Sequence, residues 1–178
     1  MAPAKPLSPG GGAENPQSAT SGEWLQFRIP GLLLCVPLQD VERVLPLVEW
    51  QPVPGAADYL RGLLNLHGEA IPVVDLSSRL GHRARSRYDL DTPILLCRAN
   101  GRSAGLIVSE IIGVIDRGVE SGQIGQLFND GDLPFVAAFD TANGLSLLLN
   151  LERILDFRLD SIEPGYTDAL TAEMRALR

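Results

Sequence analysis

The residues of this chain best suited to metal ligation or nucleophilic attack are two histidines, His67 and His82, and two cysteines, Cys35 and Cys97. Their spacing does not support either use. No H-x-x-x-H or C-x-x-C frames them, so they do not form a metal-ligand set. Both cysteines sit inside apolar runs, where the simple reading is a reduced, buried thiol; a disulfide or redox pair lacks any supporting motif. Asn129-Asp130-Gly131-Asp132 offers oxygens beside a glycine, but a calcium loop needs a downstream Glu that is missing, so a polar turn is expected. Asp75 could in principle pair with His67 as an acid and base. Without a nucleophile or an oxyanion-donor turn, it reads better as a helix cap. No nucleophile elbow or phosphate-cradling loop is expected. The residues therefore point to no catalytic group, no cofactor and no metal site. A small-molecule-binding or enzymatic β-barrel remains the alternative from another class.

The elements that would position these residues centre on Tyr59–Gly81. Leu60, Leu63, Leu64 and Leu66 form one apolar strand, and Ala70, Ile71, Val73 and Val74 form its return. His67-Gly68-Glu69 turns the chain between them, which reads as a β-hairpin. Pro72 cannot donate to a ladder, so it places the return strand at an edge or next to a bulge. Asp75 caps a short helical turn from Leu76 to Leu80, and Gly81 ends it in left-handed geometry.

The remaining chain is read from alternation and turn signals. Trp24–Ile29 alternates as a half-buried strand, and Leu32–Val36 returns after Pro30-Gly31. Leu38–Leu47 is expected as one helical turn passing into a short strand. The polar, basic stretch His82–Asp91 is either a solvated loop between two lobes or a small anion-binding patch. Ile94–Arg98 and Ala104–Val108 flank Asn100-Gly101, whose two positions both tolerate positive φ. Ile111–Ile115 continues past a bulge near Gly113. A long loop is expected over Val119–Gly131, a strand over Leu133–Phe139, and another over Leu145–Leu149. Asn150 should cap a short helix to Leu155. Phe135, Val136 and Leu145 are core candidates. A final helix, Tyr166–Leu177, carries Leu170, Met174 and Leu177 on one face.

About nine or ten short strands with frequent turns suggest barrels or a sandwich. The composition agrees: 178 residues, 45% hydrophobic, with 13 Pro and 18 Gly. The net charge of −7 argues against nucleic acid and anionic membrane as partners, since both call for a basic stripe. No secretory signal and no membrane-spanning run are visible. Residues 1–22 are Pro-, Gly-, Ser- and Ala-rich and are expected to be a disordered tail.

Gly62, Asn65, Leu66, Gly68, Pro72, Val74, Asp75, Leu76 and Gly81 resemble the first signature of the CheW family. Gly101–Val114 is similar to its second signature and Leu147–Leu155 to its third. The resemblance implies a mainly β, CheW-like fold: two small five-stranded SH3-like β-barrels packed side by side, with short helices and a C-terminal helix. It places the CheW-like domain at 23–160, with lobes of roughly 23–81 and 92–157 and freedom for a strand to return to the other lobe, and the C-terminal helix at 161–178. It implies a non-catalytic, cytoplasmic adaptor that couples methyl-accepting chemoreceptors to a CheA-type histidine kinase, without membrane insertion. Carried over residue by residue, the partner-binding positions are Val41, Arg43, Gly62, Asn65, His67 and Gly68. For Gly62 and Gly68 backbone geometry competes with contact as the reason for the residue, and for Val41 core packing does. Three positions depart from the family pattern. His67 stands where Arg is usual, Arg43 where Glu is usual, and Ser109 where Asp is frequent. A histidine cannot reproduce the bidentate grip of an Arg on a carboxylate, so these departures imply a specialised partner, for example in a divergent chemosensory system such as one controlling type IV pili.

Overall fold

The computed structural model describes residues 22–82, 88–116 and 133–157. Among these are ten strands: β1 (Glu23–Ile29), β2 (Leu32–Pro37), β3 (Val41–Leu45), β4 (Leu60–Leu66), β5 (Glu69–Asp75), β6 (Ile94–Ala99), β7 (Arg102–Ile107), β8 (Glu110–Asp116), β9 (Phe135–Thr141) and β10 (Gly144–Leu149). A single 3-10 turn covers Leu38–Asp40, and two one-turn helices follow strands, α1 (Leu76–Arg79) and α2 (Leu151–Ile154). The tail before Gly22, the Val119–Gly131 loop with Asn129–Asp132, and the Tyr166–Leu177 helix lie outside the described residues.

Local signals set the local elements. Asn100 and Gly101 have φ of 49° and 73°, the pair of positive values that a tight two-residue hairpin turn requires. Asp75 accepts from the Ser78 N–H at 3.2 Å, and Asn150 accepts from the Arg153 N–H at 3.2 Å. Each caps its helix as its position suggests. The β1–β8 register shifts between Gln26 and Phe27, opposite Gly113 and Ile111, so Ile112 is the extra residue of the expected bulge.

The strands form two five-stranded sheets, ordered β8-β1-β2-β10-β9 and β3-β6-β7-β5-β4. This arrangement corrects the expected lobes. The chain does not divide near residue 81. The middle strands, β3–β7, make one whole sheet, and the two ends of the domain join to make the other. Residues 82–91 therefore connect two strands of the same sheet and do not link the lobes. The reason is pairing that turn signals cannot report: β2 runs parallel to β10, and β5 runs parallel to β7. Parallel neighbours need long crossovers and leave no hairpin signature. The chain passes back to the first sheet at Ser109, whose N–H donates to the Arg28 carbonyl at 2.8 Å.

Burial follows the strand period of two. On β1 and β2, Leu25, Phe27, Leu34 and Val36 join Val74, Leu95, Cys97 and Leu106 of the other sheet in the largest buried cluster. The alternate residues Trp24 and Cys35 pack with Phe139 and Leu148 within their own lobe. In the second sheet Leu64, Ile71, Val73, Ile94, Leu96 and Ile107 do the same. Six strands are thus apolar on both faces because one face seals the lobe and the other seals the junction between lobes.

Pro72 takes the second of its two expected places, next to a bulge, and the second-lobe core candidates need correction. β5 is flanked on both sides, so Pro72 is not on an edge strand. The β5–β7 ladder begins only at Val73, which leaves Pro72 with β4 as its one partner, next to the shift between Leu60 and Gly62. Val136 and Leu145 are not core residues. Each is 52% exposed, on β9 and β10 at the outer side of the first sheet, whereas Phe135 packs partly against the shared core.

Candidate functional site

The β4–β5 hairpin gathers four of the six residues carried over from the family pattern. Leu66 pairs with Glu69, leaving His67 and Gly68 as a two-residue turn with φ of 54° and 89°. His tolerates this left-handed geometry better than most side chains, and Gly adopts it freely. The Asn65 Oδ1 accepts from the Gly68 N–H at 2.7 Å, which locks the turn from beneath. The imidazole of His67 is exposed and has no partner among the described residues.

Gly62 has a different role. It is buried, with φ of 155°, and a Cβ there would lie 2.3 Å from the Gln51 carbonyl oxygen and 2.8 Å from Trp50 Cδ1. The main chain of Gln51 needs that space, because it exchanges two hydrogen bonds with Leu63, of 2.7 and 2.8 Å. This bridge ties the segment that continues β3 onto β4, the far edge of the same sheet. Gly62 is therefore explained by backbone approach, while the turn it supports remains available for contact.

A side-chain cluster braces the same corner. The Tyr88 hydroxyl donates to Asp75 Oδ2, and the Tyr88 ring meets Trp50 edge-on at 6.1 Å. The Arg61 guanidinium lies over that ring at 5.6 Å, an arrangement that attracts the cation to the ring face. Burial, followed by the bond to Asp75, pushes the Tyr88 phenol above its ordinary pKa, so it stays protonated and keeps donating. Sequence reading did not identify Gln51, Trp50, Arg61 or Tyr88. Their partners are distant along the chain, and no spacing rule links them.

Val41 and Arg43 lie on β3, the opposite edge of the sheet from β4. Val41 packs partly against the shared core. The register shifts between Val41 and Arg43, which makes Glu42 the bulged residue. Glu42 forms an ion pair with Arg98, with 2.6 Å between Oε1 and Nε. Arg43 is exposed, and no hydrogen bond or ion pair joins it to His67 among the described residues. Just before Val41, Asp40 lines a cleft of about 930 Å³ that also involves Glu23, Trp24, Leu38, Val136 and Glu152. Burial, and then the charge of Glu152, raise the Asp40 carboxyl above its usual pKa.

The letters G-x-S-x-G do occur, at Gly101–Gly105, against the expectation that no elbow is present. The structure places them across a hairpin turn and strand β7, not on a strand-to-helix elbow. The Ser103 Oγ accepts from Arg98 Nε at 3.1 Å. Among the described residues no group of three His, Cys, Asp or Glu side chains could hold a metal ion, and no helix is long and apolar enough to cross a membrane.

The structure is a mainly β chain of two five-stranded sheets with its signature residues on a braced, exposed hairpin. Residues 23–158 match the CheW-like domain, and the chain belongs to the CheW family. It is 32% identical over 101 residues to the chemotaxis protein CheW of Rhizobium meliloti, covering 55% of this chain and 64% of that protein. It is 28% identical over 98 residues to protein PilI of Pseudomonas aeruginosa, covering 55% and 54%. The matched segments thus span less than two thirds of these relatives. The fold is similar to that of the scaffolding protein TtCheW from Thermoanaerobacter tengcongensis, with a TM-score of 0.68, 24% identity, and coverage of 78% of this chain and 94% of that one.

Proposed function

We propose that this chain is a non-catalytic, cytoplasmic adaptor that couples methyl-accepting chemoreceptors to a CheA-type histidine kinase in bacterial chemosensory signalling. The observation that carries the reading is the β4–β5 hairpin. The family's first signature is present, its turn is held by Asn65 and by the Gln51–Leu63 bridge, and its tip residue, His67, stands exposed without an internal partner. A turn whose main chain is already held in place carries a smaller ordering cost on binding, which favours contact with another protein.

The partner is a receptor tip, met by His67 with Val41 and Arg43 contributing from the far edge of the sheet. The departures at 43, 67 and 109 point to a specialised receptor, of the kind a divergent or pilus-controlling chemosensory system would use. A receptor tip built to meet an Arg would lose a charge-assisted hydrogen bond here, worth about 1.5–3 kcal/mol. The test is binding of the His67→Arg and Arg43→Glu proteins, singly and together, to the cognate receptor tip and to one from a common chemotaxis system. The double change is expected to weaken the first and strengthen the second. Unchanged affinity for both would remove this turn as the docking site.

A further inference from the structure

The cleft of about 930 Å³ beside Asp40 opens where the chain crosses from the first sheet to the second. The crossing is the Leu38–Asp40 turn between β2 and β3, and it forms one wall. The start of β1, the β6–β7 turn at Asn100, β9 at Val136 and helix α2 at Glu152 form the others. All of the lining residues fall within the described segments, and none of them belongs to the His67 turn.

Two features of this cleft point to one kind of occupant. The first is apolar surface left unfilled. Val136 lines the cleft and is 52% exposed, and Leu38 beside it is only half-buried. The second is uncompensated negative charge. Glu23, Asp40 and Glu152 reach the cleft from three separate elements, and no Lys, Arg or His lines it. Their carboxylates make no hydrogen bond or ion pair among the described residues. Asp40 and Glu152 are close enough to repel, since the charge of Glu152 adds to burial in raising the Asp40 carboxyl.

We propose that this cleft is a docking groove for a cationic amphipathic helix of a partner protein. An apolar side chain of that helix packs on Val136 and Leu38, and a Lys or Arg one turn away meets Asp40 and Glu152. Residues three or four apart share one face of a helix, so a single face presents both groups, as in other helix-in-groove complexes. The alternatives fit less well. A small polyamine would meet the carboxylates and leave Val136 uncovered. A purely apolar helix would desolvate the carboxylates without pairing them, which is costly. A cation removes the repulsion between Asp40 and Glu152 while the apolar contact excludes water from the pair. Docking in this groove is a second interaction surface and does not depend on the adaptor reading.

The test uses the full chain, ¹⁵N-labelled, and a synthetic helical peptide of Leu and Lys with Leu along one face. The expected result is binding that shifts the amides of Asp40, Asn100, Val136 and Glu152, and no binding of the same peptide with Glu in place of Lys. Combining Asp40→Asn with Glu152→Gln should weaken the Leu/Lys peptide at least about tenfold, and Val136→Ser should weaken it as well. The chain carries a net charge of −7, so general attraction needs its own control. Glu49→Gln with Asp58→Asn removes two exposed carboxylates outside the cleft and should leave the affinity unchanged. All variants should keep the amide spectrum of the β-sheets, since Val136 and Glu152 are exposed and Asp40→Asn removes a repulsion. No binding of the Leu/Lys peptide would overturn the proposal. Equal weakening by the two double neutralisations would also overturn it, as would an affinity that Val136→Ser leaves untouched.

Discussion

At the scale of single residues, the structure separates positions that hold the site from positions that present it. Gly62 holds it. Adding a Cβ would force the Gln51 carbonyl away and leave a non-glycine residue at φ of 155°, so Gly62→Ala should cost at least about 1–3 kcal/mol of stability through backbone strain alone. Urea unfolding would show it as a lower midpoint. His67→Asn, by contrast, keeps a residue that accepts left-handed φ and should leave the midpoint nearly unchanged while altering receptor binding. Asp40 gives a pH signature. Its folded-state pKa is raised above the ordinary 3.8, first by burial and then by Glu152. The folded state therefore holds this proton more tightly than the unfolded chain does. Stability is lost as pH rises through the interval between the two values. Asp40→Asn should accordingly raise the melting temperature at neutral pH, and the gain should vanish below the ordinary carboxylate range. A gain that persists in acid would place its origin elsewhere.

At the scale of elements, the caps and turns were legible because their signals are local. Asn150 and Asp75 cap one-turn helices, and Asn100-Gly101 and His67-Gly68 close hairpins, each within four residues of the group it satisfies. Removing the cap in Asn150→Ala should cost about 1 kcal/mol, read as a fall in melting temperature with the β-sheet signal intact. What the sequence hid lies between elements. The parallel β2–β10 and β5–β7 pairs, the Gln51–Leu63 bridge and the Tyr88–Asp75 bond join residues with no shared period or motif. The same limit explains Val136 and Leu145. Alternation on β9 and β10 identifies two faces but not which of their residues stay exposed, as Val136 and Leu145 do.

At the scale of the whole molecule, the two sheets share their largest buried cluster, which contains Phe27, Leu34, Val74, Leu95 and Leu106. A chain whose main core lies at the junction should unfold in one step, because neither sheet keeps enough apolar contact alone. Calorimetric and van't Hoff enthalpies should agree. Phe27→Ala, at a site with 0% exposure, should cost about 3–5 kcal/mol and lower one shared transition without splitting it. The interleaved topology and the shared core hold the two lobes, and the hairpin at the edge of one of them, in fixed relation. The most direct measurement is reconstitution from three purified components: this chain, a soluble receptor tip and the CheA-type kinase, followed by sedimentation velocity. The account expects receptor tip and kinase to co-sediment in one complex only when this chain is present, and Gly62→Ala or His67→Arg to weaken the receptor arm while the kinase arm persists. If receptor tip and kinase sediment separately whether or not the chain is added, the coupling function is contradicted.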